Sequence, residues 1–199
     1  MRIRTQAVLL SVVPLTFLIV LFFIASVLQT KTDETATWSQ RSTNTLKQSE
    51  LIAKTIGDAN SSIVEYTTKK AIPANLAGYR TAVDSLPAKV AELRRLVAGE
   101  PGQDARAVRY GRATNAIMGV LTRYLTIWKS GKKTQAQAAV NSAQTRKIVD
   151  EFTAARHDFE EIERVRALSR YDALHRDLER LGKVFLASSI AGSLLTLFV

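Results

Sequence analysis

The 199-residue sequence has no cysteine, only two histidines, and no run of alternating apolar and polar residues between turn dipeptides. The lack of cysteine excludes disulfides, thiolate chemistry and cysteine-ligated metals. The lack of alternation argues against β-strands. His157 and His175 lie 18 residues apart and match neither H-E-x-x-H nor another metal-binding pattern, and the sequence contains no phosphate-binding glycine loop or nucleophile motif. We therefore expect no catalytic residue, metal or cofactor within these residues.

Two apolar runs bracket the chain. Residues 7–28 carry no charge, and as a helix they would measure about 33 Å, enough for a hydrocarbon core of about 30 Å. Residues 184–199 form a second uncharged run that ends at the last residue and would measure about 24 Å. We expect 7–28 to be an uncleaved transmembrane helix and 184–199 to be a second, truncated one.

The charges indicate an orientation. Arg2 and Arg4 favour a cytoplasmic segment 1–6, so residues 29–183 would lie on the periplasmic or extracellular side of the cell inner membrane. That segment holds all 18 acidic residues and all but two of the 28 basic ones, a net charge of +8. An exported domain has little access to nucleic acid, so membrane lipid or an unknown acidic ligand is the expected partner.

Helical periodicity is strong in the first half of residues 29–183. Apolar and small residues recur at alternating steps of four and three, which is typical of a long helix packed against neighbours. The repeat comprises Trp38, Ser42, Thr45, Ser49, Ile52, Ile56, Ala59, Ile63 and Tyr66. It is semi-polar at first and apolar later, which predicts tighter contact towards its end.

Turn residues divide the remainder into three more helices. Asn75 is a candidate cap of the second helix, and Pro87 predicts a kink or break within it. Asp104 is a candidate cap of the third helix, which should end at Gly131. Residues 132–181 contain neither glycine nor proline, so we expect one long fourth helix. The predicted fold is all-α: an antiparallel up-down four-helix bundle whose first and last helices continue into two transmembrane helices.

An arginine cluster is the first candidate site. Arg106, Arg109 and Arg112 recur every three residues on the third predicted helix. Because guanidinium groups bind carboxylates and phosphates bidentately, these residues form a candidate anionic-ligand patch. A solvated basic face is the alternative interpretation.

A phase slip in the fourth predicted helix is the second candidate site. Apolar residues there advance by threes, which overwinds a coiled coil locally. The residues concerned are Ile162, Val165, Leu168, Tyr171 and Leu174. The slip either transfers the helix from the bundle core to a dimer seam or forms a bistable joint that relays a signal.

Several short segments between the apolar runs resemble elements of the CHASE3 family. Asp58-Ala59 and Tyr66 match the two ends of its D-A-E-T-G-Q-R-G-Y segment, although Val64-Glu65 replaces its Arg-Gly pair. Pro101, Gln103 and Arg106 fit its N-P-x-Q-x-x-R pattern. The other similar segments are 76–79 with Ala82, 148–150 and 163–166.

The resemblance implies an extracytoplasmic helical sensory module of a bacterial receptor. Its whole protein would most often be a sensor histidine kinase, with a chemoreceptor or a nucleotide or diguanylate cyclase as alternatives. A helical membrane scaffold without an output domain is an alternative of a different class. The resemblance also implies a homodimer with paired membrane-proximal helices and an extracytoplasmic ligand that the sequence does not identify.

Overall fold

The computed structural model describes the backbone of residues 2–69 and 72–198 and the side chains of residues 18–69, 72–100 and 102–190. Within these residues the protein is all-helical and has no strand. Its elements are α1 (Arg2–Thr68), a 3-10 turn (Pro73–Leu76), α2 (Ala77–Leu96), α3 (Pro101–Lys129), α4 (Lys133–Val140) and α5 (Ala143–Phe198). The prediction of an all-α chain is confirmed.

The predicted transmembrane segments fall at the outer ends of α1 and α5. Residues 7–17 and 191–199, which make up much of both segments, lie outside the residues whose side chains are described. Among the described residues, none of the helices contains an apolar stretch sufficient for a bilayer crossing.

The chain divides into two compact units. The bundle unit comprises residues 41–165, and the paired-helix unit comprises residues 1–40 and 166–199. The long helices α1 and α5 each contribute to both units.

The predicted seam of α1 is buried. Seven of its nine residues are at most 8% exposed, and Trp38 and Tyr66 are half-buried. Its polar members Ser42, Thr45 and Ser49 precede the apolar Ile52 and its successors in the sequence. The heptad pattern therefore identified the inward face of α1 correctly.

The main core of the bundle unit draws on four helices. Apolar side chains from α1, α2, α3 and α5 form one buried cluster that has Tyr110 and Phe159 among its largest members. The Tyr110 ring lies 5.6 Å from the ring of Phe152 and 6.0 Å from that of Phe159. These aromatic contacts join α3 to α5.

The predicted fourth helix is wrong in one respect, because it consists of two helices. α4 ends at Val140, and α5 begins at Ala143. The backbone N–H of Thr145 donates to the hydroxyl of Ser142 over 3.1 Å, as at a serine N-cap. The Ser142 hydroxyl also donates to the carbonyl of Ala139 over 2.8 Å. This serine cap restarts the helix without glycine or proline.

The predicted break at Pro87 and the two predicted N-caps are corrected. α2 continues from Ala77 to Leu96 through Pro87 without a break, because the buried Leu86 and Leu93 hold both of its halves against the core. Asn75 and Asp104 do not cap their helices: Asn75 lies within the 3-10 turn, and Asp104 lies in the first turn of α3. Gly131 ends the third helix as predicted, with a φ of 81° that suits glycine.

Candidate functional site

A buried polar pair joins α3 and α5 in the bundle unit. The Gln103 amide donates to the Glu163 carboxylate over 2.8 Å and to the Phe159 carbonyl over 3.2 Å. Gln103 is 1% exposed and Glu163 is 4% exposed. The amide oxygen of Gln103 makes no hydrogen bond within the described part of the chain. Because the buried carboxylate has this one amide partner, the energy of the pair depends strongly on the spacing of α3 and α5.

A second polar group joins the same two helices to α1. Glu160 of α5 accepts hydrogen bonds from the Ser49 hydroxyl of α1 and from Arg156, each over 2.8 Å. The Tyr110 hydroxyl of α3 donates to the Ser49 carbonyl over 3.1 Å. The hydrogen bond to Glu160 raises the pKa of Arg156, and burial raises the pKa of Tyr110 to about 12.

We call these six residues the polar layer of the bundle unit. Its members are Ser49, Gln103, Tyr110, Arg156, Glu160 and Glu163. Hydrogen bonds are directional and short in range, so a shift of α5 by an ångström would break several of them together. The energy difference between two positions of α5 is therefore larger with the polar layer than it would be with an apolar core.

In the paired-helix unit, two contacts hold α1 against α5. The Arg170 guanidinium lies 3.7 Å from the centroid of the Trp38 ring, a cation–π contact. Lys31 forms a hydrogen-bonded ion pair with Asp177, which lowers the pKa of Asp177. We call these four residues the clamp. They line a groove of about 320 Å³ between the two helices of this unit.

The predicted arginine patch is partly neutralised within the chain. The Arg106 Nε and the Arg109 Nη1 lie 3.5 Å and 3.6 Å from the same carboxylate oxygen of Asp158. The Arg106 Nε makes no hydrogen bond at that distance, and its Nη1 donates to the carbonyl of Gly102. Arg112 is exposed. The three arginines lie on one helix as expected, and their role in ligand binding stays a prediction.

The predicted phase slip lies within one uninterrupted helix, α5. Val165, Leu168 and Tyr171 are 49%, 64% and 65% exposed, whereas Ile162 and Leu174 are half-buried. The boundary between the two units falls between Val165 and Arg166, inside the slip. Three of the five slip residues therefore lie outside the core of the single chain, and the role of the slip in signal relay stays a prediction.

Sequence reasoning missed the polar layer as a unit and missed the clamp. Ser49 was predicted as a seam residue, and Gln103 and Glu163 were noted only within separate short motifs. A signal for the clamp is present, because Trp38 begins the heptad seam of α1. Its partner Arg170 is one of several arginines on α5, and the sequence does not distinguish it from the others.

Comparison with known proteins gives one match. A family model described as the CHASE3 domain matches residues 35–172, more than two thirds of the chain. No curated protein and no solved structure matches the chain. The matched residues include the whole polar layer.

Proposed function

This chain belongs to the CHASE3 family of extracytoplasmic sensory domains of bacterial receptors, and from that membership we propose that it is the sensory and transmembrane portion of a sensor histidine kinase. The observation that carries the proposal is the family match over residues 35–172. Among receptor types we propose a histidine kinase, because CHASE3 domains most often belong to histidine kinases.

We propose that α1, α2, α3 and α5 form an antiparallel up-down four-helix bundle. Two observations support it: all four helices contribute to one buried core, and only four residues separate α2 from α3. Connections this short favour antiparallel neighbours.

The ends of α1 and α5 supply the membrane spans in this proposal, with 7–28 and 184–199 crossing the inner membrane. Large apolar side chains on both segments are exposed, including Phe22 at 77% and Leu186 at 63%. Exposing such a side chain to water instead of burying it costs about 1.5–3 kcal/mol, which lipid would offset. Arg2 and Arg4 favour a cytoplasmic N-terminus and a periplasmic bundle unit.

Signal transfer in this proposal uses the two long helices. A stimulus changes packing in the bundle unit, and α1 and α5 transmit the change as a small shift along their axes. The polar layer supports this mechanism because it favours discrete positions of α5. The clamp supports it because Trp38 and Arg170 couple the two helices in the paired-helix unit.

Residue-specific labelling tests the membrane topology, and the absence of cysteine from the chain removes background labelling. We expect Asn60→Cys, exposed on α1, to react with a membrane-impermeant maleimide in intact spheroplasts. Thr5→Cys should react only after permeabilisation. Labelling of Thr5→Cys alone in intact spheroplasts, or release of the chain by a detergent-free wash, would overturn the receptor proposal.

The coding sequence after codon 199 tests the output. A parallel coiled coil of the HAMP type followed by a phosphoacceptor histidine box and ATP-binding motifs would support the kinase. A chemoreceptor or cyclase domain in that place would contradict the kinase and leave the sensory role intact.

A further inference from the structure

We propose that the bundle unit contains a pocket for a small organic anion with an apolar body, located where α3, α4 and α5 meet. The pocket has a volume of about 290 Å³, close to the lower limit of about 300 Å³ for typical small-molecule sites. This inference rests on the proposed sensory function, since it assigns the class of ligand that such a domain would detect.

The walls of the pocket are mainly apolar. Val120 lies on α3, Ala139 and Val140 form the end of α4, and Ile148 lies on α5. Branched side chains on three helices offer apolar contact to a compact apolar group. The pocket thus suits a branched aliphatic chain or a single aromatic ring.

Three polar groups on the lining are available to a ligand. Arg123, Tyr124 and Gln144 all line the pocket, and no side-chain hydrogen bond or ion pair engages any of them among the described residues. By contrast, the hydroxyls of Ser142 and Thr145 already donate to the carbonyl of Ala139. One cation with two neutral hydrogen-bonding groups is the pattern that binds a carboxylate.

The charge of Arg123 is also uncompensated inside the pocket. Arg123 is the only charged residue among those lining it. In the groove between α1 and α5 of the same unit, Lys47 and the other basic residues face Glu50 and Glu160. The pocket therefore selects anions, whereas that groove carries its own counter-charges.

A bound anion would connect α3 to the beginning of α5. Arg123 and Tyr124 belong to α3, and Gln144 lies in the first turn of α5. The serine cap at Ser142 already fixes α4 to this turn. Occupancy would thus act on the N-terminal end of α5, the helix that also carries three members of the polar layer.

Tryptophan fluorescence tests the pocket in the full chain reconstituted in lipid nanodiscs. Trp38→Phe leaves Trp128 as the sole tryptophan, and its ring lies 5.9 Å from that of Tyr124. Benzoate is the probe, and benzamide, which has the same ring without the charge, is the comparator. We expect a saturable change with benzoate at about millimolar concentrations, as for a ligand of this size.

Matched variants locate the binding. Arg123→Gln should weaken benzoate binding at least about tenfold, because it removes a charge-assisted contact. Arg80→Gln, at an exposed arginine on α2 that does not line the pocket, should change it by less than about twofold. Ala139→Leu should abolish binding by filling the pocket, and unchanged far-ultraviolet circular dichroism would confirm that the fold is retained.

Three results would overturn the pocket: equal binding of benzoate and benzamide, an Arg123→Gln variant that binds as tightly as its parent, or no saturable response up to about 20 mM benzoate. None of these results affects the topology test. Correct cysteine labelling without benzoate binding would reject the pocket alone, whereas inverted labelling with intact binding would reject the receptor alone.

Discussion

At the residue scale, the bundle unit combines an apolar core with a costly polar layer. Glu163 is 4% exposed, and Gln103 is its hydrogen-bond donor. Burial of a carboxylate is unfavourable unless its hydrogen bonds are satisfied. The pair therefore affects stability mainly through the free energy that is lost when one partner is removed and the other stays buried. Comparing single and double variants measures that loss.

We predict that Gln103→Leu lowers the free energy of unfolding by about 2–3 kcal/mol, because it leaves the buried Glu163 without its partner. Gln103→Leu combined with Glu163→Leu should recover most of that loss, since no buried polar group is then unpaired. Urea unfolding of the full chain in detergent, followed by circular dichroism, measures both effects.

Gln137→Leu is the matched control, because Gln137 is exposed on α4 and its replacement should change stability by less than about 0.5 kcal/mol. A double variant that is no more stable than Gln103→Leu alone would contradict a coupled Gln103–Glu163 pair.

Tyr110 predicts an alkaline loss of stability. Burial raises its pKa to about 12, above the value of about 10 for an unfolded chain. A group whose pKa is raised on folding stabilises the protein fully below the unfolded pKa and loses that contribution as pH rises through the folded pKa. Between pH 10 and 12 we expect stability to fall by up to about 3 kcal/mol from this group alone.

Tyr110→Phe should remove this step, at a cost near neutral pH of about 0.5–1.5 kcal/mol for the hydrogen bond to Ser49. Tyr171→Phe, at a residue that is 65% exposed, should leave the step in place. The difference in unfolding free energy between each variant and its parent, measured from pH 9 to 12, isolates the tyrosine from the titrating lysines. A parallel decline in the parent and in Tyr110→Phe would refute the assignment.

Part of the polar layer could be predicted from the sequence, and the reason is physical. A seam residue such as Ser49 is identified by its spacing within one helix, because period alone decides which face is buried. The Gln103–Glu163 pair spans 60 residues of sequence. No local pattern joins two helices so far apart, and a buried glutamate also runs against the usual preference of that residue for the surface.

At the element scale, close approach of helices depends on two glycines. A Cβ added at Gly78 of α2 would lie 2.9 Å from the carbonyl oxygen of Asp58 on α1, and one added at Gly111 of α3 would lie 2.7 Å from Val90 on α2. Both distances are below van der Waals contact. A methyl group at either position would separate helices that share the main core.

We predict that Gly78→Ala destabilises the chain by about 1–3 kcal/mol, because the atom it meets is backbone and cannot rotate away. Gly119→Ala is the matched control on α3. Nothing lies within 4 Å of its added Cβ, so the better helix propensity of alanine should stabilise the chain by about 0.5–1 kcal/mol. Urea unfolding of both variants measures the two changes, and a stabilised Gly78→Ala variant would contradict this packing of α2 on α1.

Helix boundaries also show where local signals fail. Gly131 ends α3 as predicted, since its positive φ suits glycine. The break between α4 and α5 rests on Ser142, yet serines such as Ser49 lie inside helices of the same chain, so residue type alone does not identify the cap. Pro87 is the opposite case. Proline favours a break, but buried neighbours on both sides keep α2 intact.

At the scale of the whole molecule, α5 changes its surroundings at the boundary between the units. Before Val165 it carries Phe159 and Glu163 into the core of the bundle unit. After it, Arg170 and Asp177 contact α1 in the paired-helix unit, while Leu168 and Tyr171 are exposed. We propose a homodimer in which a second copy of the chain covers these exposed apolar residues, since receptors of this layout pair about a two-fold axis.

Disulfide trapping in native membranes tests that dimer. Leu168 lies about 160° from Arg170 around the α5 axis, so it points away from the α1 of its own chain, whereas Ala173 lines the groove next to Trp38. We predict that mild oxidation converts most of a Leu168→Cys variant into a covalent dimer and leaves Ala173→Cys mostly monomeric, because a disulfide requires Cα atoms within about 7 Å. With no native cysteine, every crosslink comes from the introduced residue. Equal trapping of the two variants would indicate random collision, and trapping of Ala173→Cys alone would place the dimer seam on the clamp side of α5.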